Sequence, residues 1–111
     1  MKAIIEKHPL RDTYMLWLQG SSIPPYFGSE QECKKARIHL CKKINDDALA
    51  LCRSRYIEPH EAKELVEFVN NSLDVINENR LIDALIGYGY NIKYTINGGG
   101  VITEYELTNV K

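Results

Sequence analysis

Three histidines and three cysteines are the side chains in this sequence best suited to catalysis or metal binding. They are His8, His39, His60, Cys33, Cys41 and Cys52. The cysteines form no C-x-x-C pair, and no histidine has the spacing to a cysteine that zinc sites use. No histidine has a nucleophile and an orienting carboxylate at a diagnostic spacing either. We therefore expect no metal, no cofactor and no enzymatic activity, with the cysteines acting as reduced, small apolar residues on a helix face.

The glycine run in Asn97-Gly-Gly-Gly100 is either a phosphate-binding loop or the turn of a hairpin. Phosphate loops lead into a helix whose first N–H groups bind the anion. Here the glycines lead into Val-Ile-Thr-Glu-Tyr-Glu-Leu, a strand-forming sequence with two carboxylates, so the pattern predicts a hairpin. A turn centred on Gly98-Gly99 would place apolar residues on one face and pair Lys93 with Glu104 on the other. The expected pairs on the apolar face are Ile96–Val101, Tyr94–Thr103, Ile92–Tyr105 and Tyr90–Leu107.

The bulk properties indicate one globular domain spanning residues 1–111. The chain is 44% hydrophobic and 26% charged, with a net charge of −1, so its overall field does not favour polyanions. The amino terminus lacks the apolar run of a signal peptide, and no segment reaches the roughly 20 apolar residues of a membrane span. These features predict a soluble, cytoplasmic protein.

Charge is segregated along the middle of the chain. Residues 33–55 carry seven basic and two acidic side chains, a net of +5, and residues 56–86 carry seven acidic and two basic, a net of −5. One interpretation is that two antiparallel helices have complementary exposed edges. The other is that one face binds a charged macromolecule. The candidate protein-binding acidic residues are Glu61, Glu64, Glu67 and Asp74. The candidate basic residues, for nucleic acid or an acidic partner, are Lys34, Lys35, Arg37, Lys42 and Lys43.

The segment 20–28, GSSIPPYFG, is the only clearly irregular stretch. Ile23, Tyr26 and Phe27 lie beside two prolines that stiffen the backbone, and apolar groups held in place lose little entropy on binding. We therefore expect them to serve as partner-binding residues. In the alternative, Tyr26 and Phe27 fold back over a sheet edge or a helix start.

The spacing of apolar residues predicts the elements that carry these side chains. Residues 3–5 and 14–18 read as a strand hairpin, with a helix from Pro9 to Gly20 as the alternative. A capping box at Ser29 and Glu32 begins a helix that extends to about Arg55. A second helix begins at Pro59 and keeps its apolar stripe to Ile76; the stripe loses phase at residues 77–79, and a short third helix ends at Gly87. The predicted fold is α+β, with a small antiparallel sheet from the amino- and carboxy-terminal hairpins packed against two long helices and one short helix.

The absence of a recognisable site leads to an expectation about function. We expect a small, non-catalytic regulator or inhibitor that binds a surface of a larger protein or protein complex. Such domains are common among phage and mobile-element products, including anti-defence (anti-CRISPR-like) proteins. The alternative is a nucleic-acid-binding module that uses the basic helix at residues 33–55. A third hypothesis is a small enzyme or ligand binder whose site forms only in three dimensions, and a homodimer through an edge strand is a further option.

Overall fold

A computed structural model describes residues 2–76 and 80–109, and it begins with a three-stranded antiparallel sheet. The strands are β1 (Lys2–Lys7), β2 (Tyr14–Gln19) and β3 (Tyr26–Gly28), in the order β1-β2-β3. The predicted hairpin over residues 3–18 is therefore confirmed, and the helical alternative from Pro9 is wrong. Strand β3 is an addition, because it forms inside the segment expected to be irregular. We call these three strands the N-terminal sheet.

Local hydrogen bonds explain why the chain reverses between β1 and β2. The His8 N–H donates to the Thr13 carbonyl at 2.9 Å, and the Leu10 N–H donates to His8 Nδ1 at 3.0 Å.

Side chains alternate between the two faces of a strand. As a result Ala3, Leu16 and Leu18 all point towards the helices, and all three are buried.

Three helices follow, close to their predicted positions. They are α1 (Glu30–Ser54), α2 (Pro59–Asn71) and α3 (Arg80–Gly87). The capping box at the start of α1 is confirmed: the Ser29 hydroxyl accepts from the Glu32 N–H at 3.1 Å, and the Glu32 carboxylate accepts from the Ser29 N–H at 3.0 Å. Proline occupies the first turn of α2, where its missing N–H costs nothing.

Helix α2 is shorter than its apolar stripe predicts. It ends at Asn71, and Ser72 caps it by donating its N–H to the Val69 carbonyl. The chain continues as a turn in which Ile76 N–H donates to the Ser72 carbonyl, so Ile76 still reaches the core and is buried. The loss of phase predicted at residues 77–79 lies outside the described residues.

The carboxy-terminal hairpin consists of β4 (Asn91–Ile96) and β5 (Ile102–Asn109), and its turn differs from the predicted one. The Asn97 N–H donates to the Val101 carbonyl, and the Gly100 N–H donates to the Asn97 carbonyl. The loop therefore has three residues rather than two. Gly100 has φ of +79°, as required where a turn is followed by a left-handed residue. The Asn97 side-chain oxygen accepts from Gly99 N–H at 2.8 Å and Val101 N–H at 3.1 Å, which favours this loop.

The register of the hairpin is consequently different from the predicted one, yet each strand keeps its apolar face. The longer loop shifts the pairing by one residue, and an irregularity between Thr95 and Ile96 shifts it again. Over residues 92–95 the total shift is two residues, which restores the same faces because side chains alternate with a period of two, whereas Ile96 is shifted by only one residue. The observed apolar pairs are Ile92–Leu107, Tyr94–Tyr105 and Ile96–Ile102. On the opposite face Lys93 pairs with Glu106, so the expected Lys93–Glu104 pair is wrong, and Thr95 lies opposite Glu104.

The α+β class is confirmed, but the two hairpins form separate sheets rather than one. Both contribute to one core, whose largest fully buried side chains include Ile57, Leu81 and Leu85. The carboxy-terminal hairpin is held to α2 by the Asn70 side chain. Its amide nitrogen donates to the Tyr105 carbonyl at 2.8 Å, and its oxygen accepts from the Tyr105 N–H at 2.7 Å.

Candidate functional site

The three cysteines are part of the core rather than of the surface. All three cysteines are free and buried on the core side of α1, as the sequence predicts. Burial raises the pKa of the Cys33 and Cys52 thiols, which disfavours the nucleophilic thiolate. Within residues 2–76 and 80–109, no group of three His, Cys, Asp or Glu side chains could hold a metal ion.

One side of the N-terminal sheet is apolar and faces away from the helices. We call this side the outer face; its apolar side chains are Ile4, Met15, Trp17 and Phe27. The register places Ile4 opposite Trp17 and Met15 opposite Phe27, so the four side chains form one continuous surface across three strands. Phe27 is 52% exposed, and the other three are half-buried.

Trp17 lies at the middle of the outer face and has a fixed orientation. Its indole N–H donates to the Glu6 carboxylate at 3.0 Å, which satisfies its one polar group. Beside it is a shallow depression of about 340 Å³. The depression is lined by Glu6, Met15, Trp17, Ser21, Ile23 and Pro25. An indole held in this way and open on one side is a typical anchor for a protein partner.

The three loop residues predicted to bind a partner do not share one side of the sheet. Ile23 is 57% exposed and lines the depression beside Trp17, and the Phe27 ring centroid lies 6.0 Å from that of His8. Tyr26 pairs with Leu16 and so lies on the opposite side. A Cβ at Gly28 would be 3.2 Å from the Tyr26 ring, so Tyr26 folds towards the start of α1. Ile23 and Phe27 extend the outer face, and Tyr26 does not.

Two of the four predicted acidic residues are engaged within the chain. Glu61 accepts from the Arg55 guanidinium and from the Glu58 N–H, and these bonds lower its pKa to about 2. Asp74 accepts two hydrogen bonds from Arg37, which lower the pKa of Asp74. Glu64 and Glu67 are exposed on α2. The acidic set is therefore divided between internal ion pairs and free surface.

The basic residues of α1 are divided in the same way. Lys34 lies 3.3 Å from Glu30, and Arg37 is bonded to Asp74 and to the Asn71 carbonyl. Lys35, Lys42 and Lys43 are exposed. Two ion pairs, Arg37–Asp74 and Arg55–Glu61, join the basic segment to the acidic one, and each involves a residue just beyond the end of a helix.

The outer face was missed by sequence reasoning, which assigned the run Tyr14–Leu18 to one strand without asking where each side would face. The sequence does contain an indication of this face. In Tyr-Met-Leu-Trp-Leu, neither set of alternating positions carries a charged or strongly polar residue. A strand with one solvated side normally alternates apolar and polar residues. An unbroken apolar run in a short antiparallel hairpin indicates that both sides are covered or that one side binds a partner.

Comparison with known proteins assigns the chain to no family. No protein-family model matches it, and neither does any curated protein or solved structure. None of the helices in the described part of the chain is long and apolar enough to cross a membrane. An inference about function therefore depends on the surface features described above.

Proposed function

We propose that this protein is a small, non-catalytic regulator or inhibitor that binds a larger protein through the outer face of the N-terminal sheet. Trp17 is the central anchor, and Met15, Phe27 and Ile23 surround it. The exposed apolar outer face is the observation that carries the proposal. The sequence expectation placed binding on the acidic residues or the loop; the proposal retains Ile23 and Phe27 from that set and adds Trp17.

The energetics of burial support this choice. An aromatic side chain buries roughly 150–250 Å² when it is fully covered. At roughly 25 cal/mol per Å², covering the remaining exposed area of Trp17 and Phe27 contributes a few kcal/mol. Both rings lie on strands, so they lose little conformational freedom on binding. The exposed carboxylates Glu64 and Glu67 contribute much less each, because exposed ion pairs are worth about 0–1 kcal/mol.

Nucleic-acid binding by α1 remains the second candidate. Lys35, Lys42 and Lys43 are exposed on that helix, as phosphate contacts require. The candidate predicts an affinity that falls steeply with salt, whereas apolar docking on Trp17 is only weakly affected by salt. Salt dependence therefore separates the two functions.

The test uses the fact that Trp17 is the only tryptophan of the chain. The tagged protein is used to capture partners from its native host, and each candidate is purified and titrated against it. Burial of Trp17 should shift its emission to shorter wavelength on binding. Trp17→Ala should weaken binding by about 2 kcal/mol or more, roughly thirtyfold. The matched control is Tyr94→Ala, which removes another exposed aromatic side chain from a strand and should leave the affinity unchanged.

Three results would contradict the proposal. The first is a purified partner that binds Trp17→Ala and the wild type equally well. The second is binding without any change in Trp17 emission. The third is tight, salt-sensitive binding to DNA or RNA that is lost when Lys35, Lys42 and Lys43 are replaced by Glu; this result would favour the alternative function.

A further inference from the structure

Strand β1 is an edge of the N-terminal sheet and pairs on one side only. It is bonded to β2, and no other strand of the described residues lies beside it. The His8 N–H donates to the Thr13 carbonyl, and this pair continues the β1–β2 register. Hydrogen-bonded and non-bonded pairs alternate along an antiparallel ladder. The N–H and C=O groups of Ile4 and Glu6 therefore point towards β2, and those of Ala3 and Ile5 point away from the sheet.

The outward groups of β1 face a groove rather than open solvent. The groove has a volume of about 620 Å³, and its lining includes Ala3, Ile4 and Ile5 of β1 and Arg37 and Ile38 of α1. A strand edge beside a helix has the geometry of β-strand addition, in which an extended peptide bonds to the edge and packs its side chains against the helix.

The backbone of β1 beside the groove has unused hydrogen-bonding capacity. Ala3 is only 9% exposed, and within residues 2–76 and 80–109 its outward N–H and C=O have no hydrogen-bond partner. Backbone N–H and C=O groups in folded proteins normally have a hydrogen-bond partner, which can be water where they face an open groove. An added strand would supply the matching donors and acceptors at Ala3 and again at Ile5.

The charges around the groove select the kind of peptide. Among the described residues, its charged lining consists of Lys2, Lys34, Arg37 and Asp74. Asp74 is already neutralised by Arg37, and the Lys34 side chain is 64% exposed beside Glu30, in a pair that contributes little. Positive charge thus remains at the groove for a ligand to neutralise.

We infer that the groove beside β1 binds an extended acidic peptide segment of a partner protein as a fourth strand of the N-terminal sheet. This site lies at the edge of the sheet and shares only Ile4 with the outer face, so it goes beyond the proposed function. A second copy of this chain is a poorer occupant. Antiparallel pairing of two β1 strands through Ala3 and Ile5 would bring two sets of Lys34 and Arg37 together, and like charges that face each other are unfavourable.

The experiment selects ligands from a random twelve-residue peptide library displayed on phage, with the full chain immobilised. The expected ligands contain several Asp or Glu residues that alternate with β-branched residues. Synthetic, labelled versions are then titrated by fluorescence anisotropy. Lys34→Glu should weaken binding by about tenfold or more, because it reverses a charge at the groove. The matched control, Lys35→Glu, makes the same change on the same helix outside the groove lining and should alter the affinity less than about twofold.

A measurement on the wild-type protein tests the hydrogen bonds directly. On binding of a selected peptide, the amide protons of Ala3 and Ile5 should gain protection from hydrogen exchange, and that of Ile4, already bonded to β2, should change little. Trp17→Ala should bind the peptides normally, which separates this site from the outer face.

Four outcomes would overturn the inference. They are a selection without acidic peptides, peptides that bind Lys34→Glu as well as Lys35→Glu, binding that protects other amides, and a concentration-dependent dimer that protects Ala3 and Ile5 without peptide.

Discussion

The two β regions of this protein differ in the side that faces away from the helices. In the carboxy-terminal hairpin that side carries Lys93, Thr95, Glu104 and Glu106, all exposed. In the N-terminal sheet the corresponding side is the outer face, with Ile4, Met15, Trp17 and Phe27. Both regions pack their other side against helices in the same core. Only the hairpin follows the usual pattern of an antiparallel sheet with one side in water.

This difference separates the needs of folding from the needs of binding. The charged and polar side of the carboxy-terminal hairpin shows that this core requires no apolar residues on the far side of a sheet. The apolar outer face therefore needs another explanation, because an exposed apolar patch favours aggregation unless something covers it. A binding partner is the explanation proposed above.

The largest effect that tests this comparison comes from two neighbouring residues of β2. Leu16 is buried and Trp17 lies on the outer face. Leu16→Ala should lower the free energy of unfolding by about 2–5 kcal/mol, because it leaves a cavity in the core. Trp17→Thr, which copies the residue type at position 95, should cost less than Leu16→Ala, because the indole is only partly buried and its loss leaves no enclosed cavity. Urea denaturation followed by circular dichroism measures both. A cost for Trp17→Thr as large as that for Leu16→Ala would assign the outer face to folding.

The next effect concerns the attachment of the carboxy-terminal hairpin. The Tyr90 hydroxyl is buried and donates to the Ile57 carbonyl, between α1 and α2. Tyr90→Phe should cost about 1–3 kcal/mol, because it leaves the Ile57 carbonyl buried without this donor. Tyr88→Phe is the control: its hydroxyl bonds to the Arg55 carbonyl at an exposed position, and its loss should cost less. Equal costs in urea denaturation would show that burial does not determine the strength of this attachment.

The same hydroxyl predicts a dependence on alkaline pH. Burial, with the neighbouring Tyr56 hydroxyl, raises the pKa of Tyr90 from its ordinary value of 10.0 to about 12. The folded state therefore holds this proton more tightly than the unfolded state does. The resulting stabilisation is complete below pH 10 and is lost as the pH rises through about 12. Unfolding free energies measured across this range should fall for the wild type and fall less for Tyr90→Phe; parallel curves for the two would contradict the prediction.

A smaller effect is expected at the turn of the carboxy-terminal hairpin. The Asn97 side chain accepts hydrogen bonds from Gly99 and Val101. Asn97→Ala should lower the unfolding free energy by about 1 kcal/mol, whereas Asn97→Asp, which keeps the acceptor, should cost less. Thermal unfolding followed by circular dichroism measures the two variants. Because Trp17 lies in the other sheet, its native emission should be unchanged in both; a shift would show that the two β regions are coupled.

Much of the fold was readable from local chemistry. The capping box at Ser29, the proline at the start of α2 and the end of α3 at Gly87 are each determined by a few neighbouring residues, and all three are confirmed. The end of α2 was not readable in this way. Its apolar stripe continues to Ile76, and tertiary packing keeps Ile76 buried although the helix has ended at Asn71. Local patterns thus predict which residues are buried better than they predict where a helix stops.

The hairpin and the site were only partly readable for related reasons. Alternation along each strand places Ile92 and Tyr105 on the apolar face. Sliding one strand past the other by two residues keeps every side chain on the same face. Alternation alone therefore cannot distinguish the expected register from the observed one. The loop length depends on the Asn97 side chain, which favours a three-residue turn. Predicting the outer face would require knowing which side of the N-terminal sheet the helices cover. That information lies in the tertiary arrangement of β1, β2 and α1, and no spacing rule contains it.

The smallest expected effect tests the register of the carboxy-terminal hairpin, through the charged residues on the side that faces away from the helices. Lys93 lies opposite Glu106, and Glu104 lies opposite Thr95. A double-mutant cycle of Lys93→Ala and Glu106→Ala should give a coupling energy of about 0.2–1 kcal/mol, because opposite charges face each other directly. The matched cycle of Lys93→Ala and Glu104→Ala should give a smaller coupling energy, because the Glu104 carboxylate lies diagonally across from Lys93 rather than directly opposite it. Both should decrease at 1 M salt, where the screening length is about 3 Å. A larger coupling to Glu104 would instead support a two-residue turn at Gly98-Gly99.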